Sequence, residues 1–343
     1  MRIGLVVYDG LDETSGGYLY DRQIVAGLRD RGHAVTTVAI PRRGYGRDLL
    51  DNLSSAVWEE LSALADRTDL LLEDELCHPS LVLPNRRLGQ RFPELPIVSI
   101  VHPLRASERW GSFEAAICRR LERAYLETVD GFVYNSRATR ATVESLVGKT
   151  SCVLAPPGGD HVRPDLDPAA IRSRGREPGP LRVLFVGSVV ERKGLTTLIR
   201  GLADGEFTWS LTVVGDTSID PAYVARVRSL VAHRGLDERV TLTGRVEDDR
   251  LAELYRRHHV LAVPSRYEGY GIAYLEGMGH GLPAVGSGAG GANEVRAAIA
   301  AFASDRDRLI EYSLAAREAF ETHHAWDEPA RAVAAFLTAV ADG

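Results

Sequence analysis

Short apolar runs of strand length alternate along the chain with longer stretches in which apolar residues recur every three or four positions, the signature of parallel sheets covered by helices. A first set of runs predicts strands at Arg2 to Tyr8, Ala34 to Ile40, Leu70 to Leu72, Ile97 to Val101, Gly131 to Tyr134 and Cys152 to Ala155. From Pro156 to Pro180 the pattern gives way to Pro-Pro-Gly-Gly, then Pro164, Pro168 and Pro178, with charges and few apolar residues, which is a linker composition. The alternation restarts at Arg182 to Gly187, Leu211 to Gly215, Val240 to Thr243, Val260 to Val263 and Pro283 to Val285. From Ala297 the pattern is helical, with a break near His323, His324 and Ala325. The expected organisation is α/β: a Rossmann-like domain over 1–163, a linker over 164–180, and a second Rossmann-like domain over 181–325. A C-terminal helix at about 326–343 is expected to pack back on the first domain.

Composition narrows the class. The chain has 343 residues, more than one hydrophobic core commonly supports, which agrees with two domains. With 45% hydrophobic and 26% charged residues it carries enough apolar side chain for two cores and lacks a disorder signature. A net charge of -6 argues against a dedicated nucleic-acid binder, because neutralising phosphates needs a basic surplus or a basic face. Cys77, Cys118 and Cys152 are widely spaced and odd in number, which fits neither a disulfide framework nor a zinc site; a reducing cytoplasm is the expected setting. The opening run Ile3 to Tyr8 is too short for a signal-peptide core, and no apolar run reaches the roughly 18 residues of a spanning helix.

Candidate chemistry sits at the exits of the expected strands. After the first, Thr14-Ser15-Gly16-Gly17-Tyr18 leads into a helical run ending at Arg31-Gly32-His33. Gly16 and Gly17 would let backbone amides approach an anion at a helix N-terminus, or would simply make a tight turn. The G-x-G-x-x-G spacing of a dinucleotide fingerprint is absent there, which argues against an NAD-dependent dehydrogenase. In the second half, the strand ending at Gly187 is followed by Glu191-Arg192-Lys193-Gly194. Two cations at the mouth of a parallel sheet could offset charge developing on a leaving diphosphate; a solvated loop is the alternative.

The most specific segment runs from Pro264 through Glu268-Gly269-Tyr270-Gly271 to Glu276 and Met278. With a helix starting near Ile272, Glu268 lies in the loop ahead of it and Glu276 about a turn inside. Eight helical residues would span about 12 Å. That suits a ligand with hydroxyls at both ends and a pyrophosphate held by amides at the helix start. A capping acid and a helix-surface charge are the plain alternative. Gly286 to Glu294 is a further glycine-rich strand exit, where the backbone could approach a ligand or merely flex.

Taken in order, Gly16-Gly17, Arg192-Lys193-Gly194, Glu268-x7-Glu276 and Gly281-Leu282-Pro283 resemble the large family 4 of retaining GT-B glycosyltransferases (glycosyltransferases group 1), over most of the chain. Asp130-Gly131-Phe132-Val133-Tyr134-Asn135-Ser136 is similar to the close of that family's first domain, and Ala155-Pro156-Pro157-Gly158-Gly159-Asp160 to the entry to its linker. The resemblance implies a GT-B fold, two Rossmann-like parallel-sheet domains facing a central cleft, the first for the acceptor and the second for the donor. It implies retaining transfer of a hexose-type sugar from a UDP- or GDP-linked donor to a hydroxyl acceptor, with no metal and no other cofactor. Glu268, with Gly269, Tyr270 and Gly271 beside it, would hold donor-sugar hydroxyls near the reacting carbon, and Glu276 would accept the ribose hydroxyls. Arg192 and Lys193 would stabilise the diphosphate, and Gly16 and Gly17 would close on the phosphates and sugar from the opposite domain. The base would lie near Gly244-Arg245-Val246. His102, ending the fourth strand, would contact the sugar or orient the acceptor, with a structural histidine as the alternative. Glu73, Asp74 and Glu75 are candidates for acceptor contacts, or a solvated acidic loop.

The chain departs from the family pattern in two places. Ser188 stands where many relatives carry an arginine, a charge Arg192 could supply. After Glu294-Val295, Arg296 to Ile299 follow at once where relatives continue through a further strand, so the edge of the second sheet would be left short. Asp165-Leu166-Asp167 and Asp305-Arg306-Asp307 match the Asp-x-Asp of metal-dependent transferases, yet lie in the linker and the helical tail rather than at a strand end. The stripe Trp110, Phe113, Ile117, Leu121 and Tyr125, with Arg119, Arg120 and Arg123 nearby, fits a membrane-surface helix or a helix packed on a sheet. Arg86, Arg87 and Arg91 beside Phe92 form a second basic cluster. The expected partners are a nucleotide-sugar donor and an acceptor that is a glycan, a small molecule or lipid-linked. Peripheral contact at the inner face of a membrane is a further expectation; nucleic acid is not expected. The rival readings are a GT-B epimerase or glycan phosphorylase, and a degenerate sugar-nucleotide-binding protein without turnover.

Overall fold

The computed structural model describes residues 1–11, 16–105, 113–286 and 291–343, with only the backbone for 113–114. The chain divides into two compact units, residues 1–158 with 324–343, and residues 159–323. Thr14, Ser15, Trp110 and the glycine-rich stretch 287–290 lie outside the described residues.

In the first unit, strands β1 (Arg2–Tyr8), β2 (Ala34–Ile40), β3 (Leu70–Asp74), β4 (Ile97–Val101), β5 (Gly131–Tyr134) and β6 (Cys152–Leu154) form a parallel sheet in the order β2-β1-β3-β4-β5-β6. Around it run α1 (Gly16–Asp30), α2 (Tyr45–Asp48), α3 (Ser55–Ala65), α4 (His78–Arg91), α5 (Phe113–Leu126) and α6 (Arg137–Val147). β3, β4 and β5 are buried at every residue, as expected of strands covered by helices on both faces, whereas the edge strand β2 is exposed or half-buried at every residue but Ile40.

Of the stripe read on α5, Tyr125 is buried and its hydroxyl donates to Ser99 Oγ at 3.0 Å, Leu121 is half-buried and Ile117 is 42% exposed; the face turned inward carries Ala115, Cys118, Glu122, Tyr125 and Leu126. Among the described residues no helix is long and apolar enough to cross a membrane.

The second unit holds β7 (Leu181–Val186), β8 (Trp209–Val214), β9 (Val240–Gly244), β10 (Val260–Ala262) and β11 (Ala284–Val285) in a parallel sheet ordered β11-β10-β7-β8-β9. Its helices are α7 (Pro168–Arg176), α8 (Leu195–Ala203), α9 (Pro221–His233), α10 (Asp248–Arg257), α11 (Ile272–Gly279), α12 (Gly291–Ser304) and α13 (Arg306–Glu321). Phe185, Leu211, Val213 and Leu261 from the strands meet Leu198, Ile199, Val295 and Ile299 from the helices in one core.

The final helix, α14 (Asp327–Ala341), belongs to the first unit and packs on α1 and β6, burying Trp326, Val333 and Leu337. The sheet edge that the missing segment would leave bare is the two-residue strand β11, too short to template pairing with another chain.

The proline-rich stretch differs from the linker read for 164–180. It contains α7, with Pro168 in the first turn, where its missing N–H costs nothing, and with Asp167 Oδ1 accepting from Ala170 N at 2.7 Å. Its one buried charge, Arg174, is satisfied by the carbonyl oxygens of Arg256, His280 and Gly281 at 3.2, 3.0 and 2.5 Å. Asp305 caps α13 in the same way, accepting from Arg308 N at 2.9 Å. One aspartate of each Asp-x-Asp match is thus a helix cap.

Candidate active site

Parallel sheets present ligand crevices at the carboxyl ends of their strands, above all where the strand order reverses and the outgoing loops diverge. In the second sheet that place lies between β7 and β10. The loop leaving β7 carries Arg192, Lys193 and Gly194, and the loop leaving β10 carries Ser265 and Glu268. Lys193 Nζ donates to Glu268 Oε2 at 2.5 Å, and Ser265 Oγ donates to the same oxygen at 3.0 Å.

The two loops rest on one another through Gly194. Its φ is 71°, and a β-carbon there would lie 2.1 Å from the Pro264 carbonyl oxygen. The Arg266 amide then reaches the Arg192 carbonyl at 2.8 Å. Gly215, at the exit of β8, is equally constrained, since a β-carbon would stand 2.0 Å from the Gly187 carbonyl oxygen. Burial alone would push the Glu268 carboxyl up. Lys193, Arg192 and the Ser265 hydroxyl outweigh it and hold Glu268 below the usual carboxylate range, so it stays ionised.

Glu276 lies inside α11 and both its oxygens are engaged: Tyr255 donates to Oε2 at 2.7 Å, and His161 Nε2 lies 3.3 Å from Oε1. Tyr255 is itself held by stacking on His280, with centroids 5.1 Å apart. Gly269, Tyr270 and Gly271 fill the turn ahead of α11, where the Tyr270 hydroxyl lies 3.3 Å from His323 Nε2. At the exits of β8 and β9, Arg245 pairs with Asp216 at 2.7 Å while half-exposed, and Val246 packs on the core. Burial opposes ionisation of Asp216, but Ser218 and Arg245 hold it below its ordinary value. Lys193, Arg192 and Glu268 are therefore brought together, whereas Glu276 and Arg245 belong to neighbouring, separately braced sets.

In the first unit, His102 follows β4 and is buried, with Nε2 3.2 Å from Asp21 Oδ1 and 3.7 Å from Asp74 Oδ1. Tyr20 meets the ring edge-on at 5.8 Å, and a β-carbon at Gly17 would lie 3.5 Å from it. Burial disfavours the imidazolium, yet Asp21 and Asp74 overcome that and push His102 up to about 9. Gly16 opens α1 directly beside Gly17. Glu73, Asp74 and Glu75 are buried, so the solvated-loop alternative does not hold. Burial raises Glu73 to about 7 and lifts Asp74 too.

Sequence reasoning missed Ser265, Tyr255, His161 and Asp21. Asp21 did carry a signal, a carboxylate among Tyr18, Tyr20, Ile24, Val25 and Leu28 on the buried stripe of α1. Tyr255 and His161 lie 21 and 115 residues from Glu276, which no local spacing reports.

The family model described as Glycosyl transferases group 1 matches residues 180–314, the stretch that carries Arg192, Lys193, Glu268 and Glu276. A GDP-mannose-dependent alpha-(1-6)-phosphatidylinositol monomannoside mannosyltransferase of Mycobacterium tuberculosis is 30% identical over 256 residues, 64% of this chain and 65% of that protein. Residues 180–314 are thus similar to the glycosyl transferases group 1 family. The chain spans less than two thirds of that relative's length. The fold is GT-B: sucrose-phosphate synthase from Thermosynechococcus elongatus matches with a TM-score of 0.81 at 21% identity, over 99% of this chain and 98% of that one. Anabaena HepE in complex with UDP-glucose matches with a TM-score of 0.77 at 16% identity, over 99% and 100%.

Proposed function

We propose that this protein transfers a hexose from a nucleoside diphosphate sugar to a hydroxyl acceptor with retention of anomeric configuration. The observation that carries the reading is the Lys193–Glu268 pair at the strand-order reversal of the second sheet. An incoming diphosphate competes with Glu268 for Lys193, and together with Arg192 the lysine offsets the charge that develops as the diphosphate leaves. Glu268, ionised and released from the lysine, accepts hydrogen bonds from the sugar hydroxyls, with Gly269, Tyr270 and Gly271 lining the turn beside it.

Glu276, braced by Tyr255 and His161, accepts the ribose hydroxyls. The base is read near Gly244, Arg245 and Val246. UDP- and GDP-linked donors are both in scope, since the mycobacterial relative is named as GDP-mannose-dependent and the Anabaena protein holds UDP-glucose. Residues 159–323 form the donor domain, and residues 1–158 with 324–343 form the acceptor domain. There His102 contacts the sugar or orients the acceptor, and Gly16 and Gly17 offer backbone amides to the donor.

In the reading favoured here, the acceptor hydroxyl attacks on the face from which the diphosphate leaves and gives its proton to the departing phosphate oxygen. No covalent glycosyl-enzyme forms on Glu268. The test is nucleotide diphosphate release from a panel of UDP, GDP and ADP sugars, comparing the intact chain with Lys193→Ala and Glu268→Ala. One donor should be hydrolysed slowly, and each variant should lose about 100-fold or more. Absence of both release and nucleotide binding would discard the reading, whereas binding without turnover in the presence of acceptors would favour the binding-protein alternative.

A further inference from the structure

The first sheet has its own strand-order reversal, between β1 and β3. Three titratable side chains converge near it at the carboxyl ends of the strands: Asp21 on α1, Asp74 at the last position of β3, and His102 just past β4. All three are buried. One carboxylate oxygen of each acid lies within 4.8 Å of the other and of a ring nitrogen.

The two acids have few other partners. His102 Nε2 donates to Asp21 Oδ1 at 3.2 Å, while Asp74 Oδ1 accepts from the Leu76 amide at 2.9 Å and lies 3.7 Å from the same ring nitrogen. Asp21 Oδ2 and Asp74 Oδ2 have no hydrogen-bond partner among the described residues. Buried carboxylates at such a distance repel, and each disfavours ionisation of the other unless a cation stands against both. The imidazole of His102 occupies that position, so the proton that compensates the acids is best kept on the ring. Burial disfavours the imidazolium, and Asp21, Asp74 and the buried Glu75 together outweigh it.

An imidazolium donates at both nitrogens and accepts at neither. Nε2 is committed inward to the two acids. Nδ1 has no hydrogen-bond partner among the described residues. The residue set over the ring is Gly17, where a β-carbon would lie 3.6 Å from Nδ1, so this position puts no side chain over that nitrogen. A base must accept a proton, which a ring held in this state does not do. An N–H fixed at Nδ1 can instead give a hydrogen bond to an oxygen.

We propose that Asp21 and Asp74 are positioning residues of the sugar transfer: they tie His102 Nε2 inward and fix Nδ1–H as a donor to a substrate oxygen, so that His102 binds substrate without serving as a base. The inference rests on the transferase reading above for the identity of the substrate. It leaves the acceptor's proton to the departing phosphate oxygen, as same-face transfer requires. Its signature is the sign of the pH dependence. A donor is lost when the ring gives up its proton, so activity falls as pH rises through about 9, whereas a base would gain activity over that range. Asp21→Asn removes the nearer acid and should move the fall down by about one pH unit or more, and Asp74→Asn, at the longer distance, by less.

The test follows diphosphate release from UDP-glucose and GDP-mannose by the full chain from about pH 6 to about pH 10. The native protein is compared with Asp21→Asn, Asp74→Asn, His102→Asn and His102→Gln, with thermal unfolding and UDP or GDP binding as controls of fold. An asparagine amide nitrogen stands in for Nδ1 and a glutamine amide nitrogen for Nε2. His102→Gln should therefore lose about 10- to 100-fold in kcat, and His102→Asn clearly less. Activity that rises with pH through about 9, a limb that stays in place in Asp21→Asn, or equal losses in the two His102 variants would overturn the proposal. Where the buried substitutions unfold the chain, nitrogen NMR of the native ring decides: both nitrogens protonated at pH 7 supports the proposal, and a bare Nδ1 refutes it. Release from neither donor by the native chain would count against the transferase reading instead, and the ring nitrogens would still decide whether the two acids hold His102 in place.

Discussion

Lys193→Met tests the electrostatics of the second-unit site through its pH dependence. In the native chain Lys193 and Glu268 are 14% and 23% exposed and in direct contact, so the pair is mostly withdrawn from water. Removing one partner of a fully buried pair costs about 3–5 kcal/mol, because the other charge is left in low dielectric. Here residual exposure, the Ser265 hydroxyl and the nearby Arg192 soften the loss, and about 2 kcal/mol is expected at pH 7. The native Glu268 carboxyl titrates below its unfolded value near 4.5, so its contribution is present above that value and is lost as pH falls through the lower, folded one. In the variant, burial acts with less opposition and the carboxyl takes up a proton at higher pH, which relieves the penalty. The gap between native and variant should therefore narrow as pH falls from 7 towards 4. Because global unfolding of a chain with two compact units need not be two-state, the assay is hydrogen exchange of the β7 and β8 amides, which lie in the second unit. A gap that stays constant over that range would mean that Lys193 acts through packing rather than charge, and a gap that widens would refute the reasoning.

Three further outcomes are expected. Tyr255→Phe removes the donor to Glu276 Oε2 and should weaken UDP or GDP binding about fivefold by calorimetry, through roughly 1 kcal/mol of lost positioning; unchanged affinity would detach Glu276 from the nucleotide. Asp21→Asn removes the main group that keeps His102 charged, so the imidazole, followed by NMR, should titrate well below the native value of about 9. In the native chain the stabilisation from this charge is full below the unfolded value near 6.5 and disappears as pH rises through about 9; an unshifted His102 in the variant would remove Asp21 from the account. Gly215→Ala would drive a β-carbon into the Gly187 carbonyl and should destabilise the second unit by about 3 kcal/mol, read from the same amide exchange; a neutral substitution would show that the β7 and β8 exits are free to part.

The strands were legible because their cause is local in sequence. Runs such as Ile3 to Tyr8 and Val183 to Val186 are apolar at consecutive positions, a pattern that fits a doubly covered strand at that length, and the structure differs from the reading by a residue or two at the ends. The region read as a linker was misread for a local reason as well. Its prolines and charges look like irregular chain, and its one buried charge, Arg174, is satisfied by carbonyl oxygens of Arg256, His280 and Gly281, far away in sequence.

By itself, then, the sequence determined which segments become strands, that they pair in parallel with helices between, and which strand exits carry Lys193, Glu268 and His102, with Glu276 in the helix that follows. Those features follow from residue type and short spacing, which the chain carries wherever it folds. Tertiary structure alone decided which groups meet: that Glu268 is held by Lys193 and Ser265, that Glu276 is braced by Tyr255 and His161, and that His102 sits against Asp21 and Asp74. Such partners come from loops at the ends of strands whose order in the sheet differs from their order in the chain. No period in the sequence encodes that order, because it is set by how whole elements bury their faces against one another.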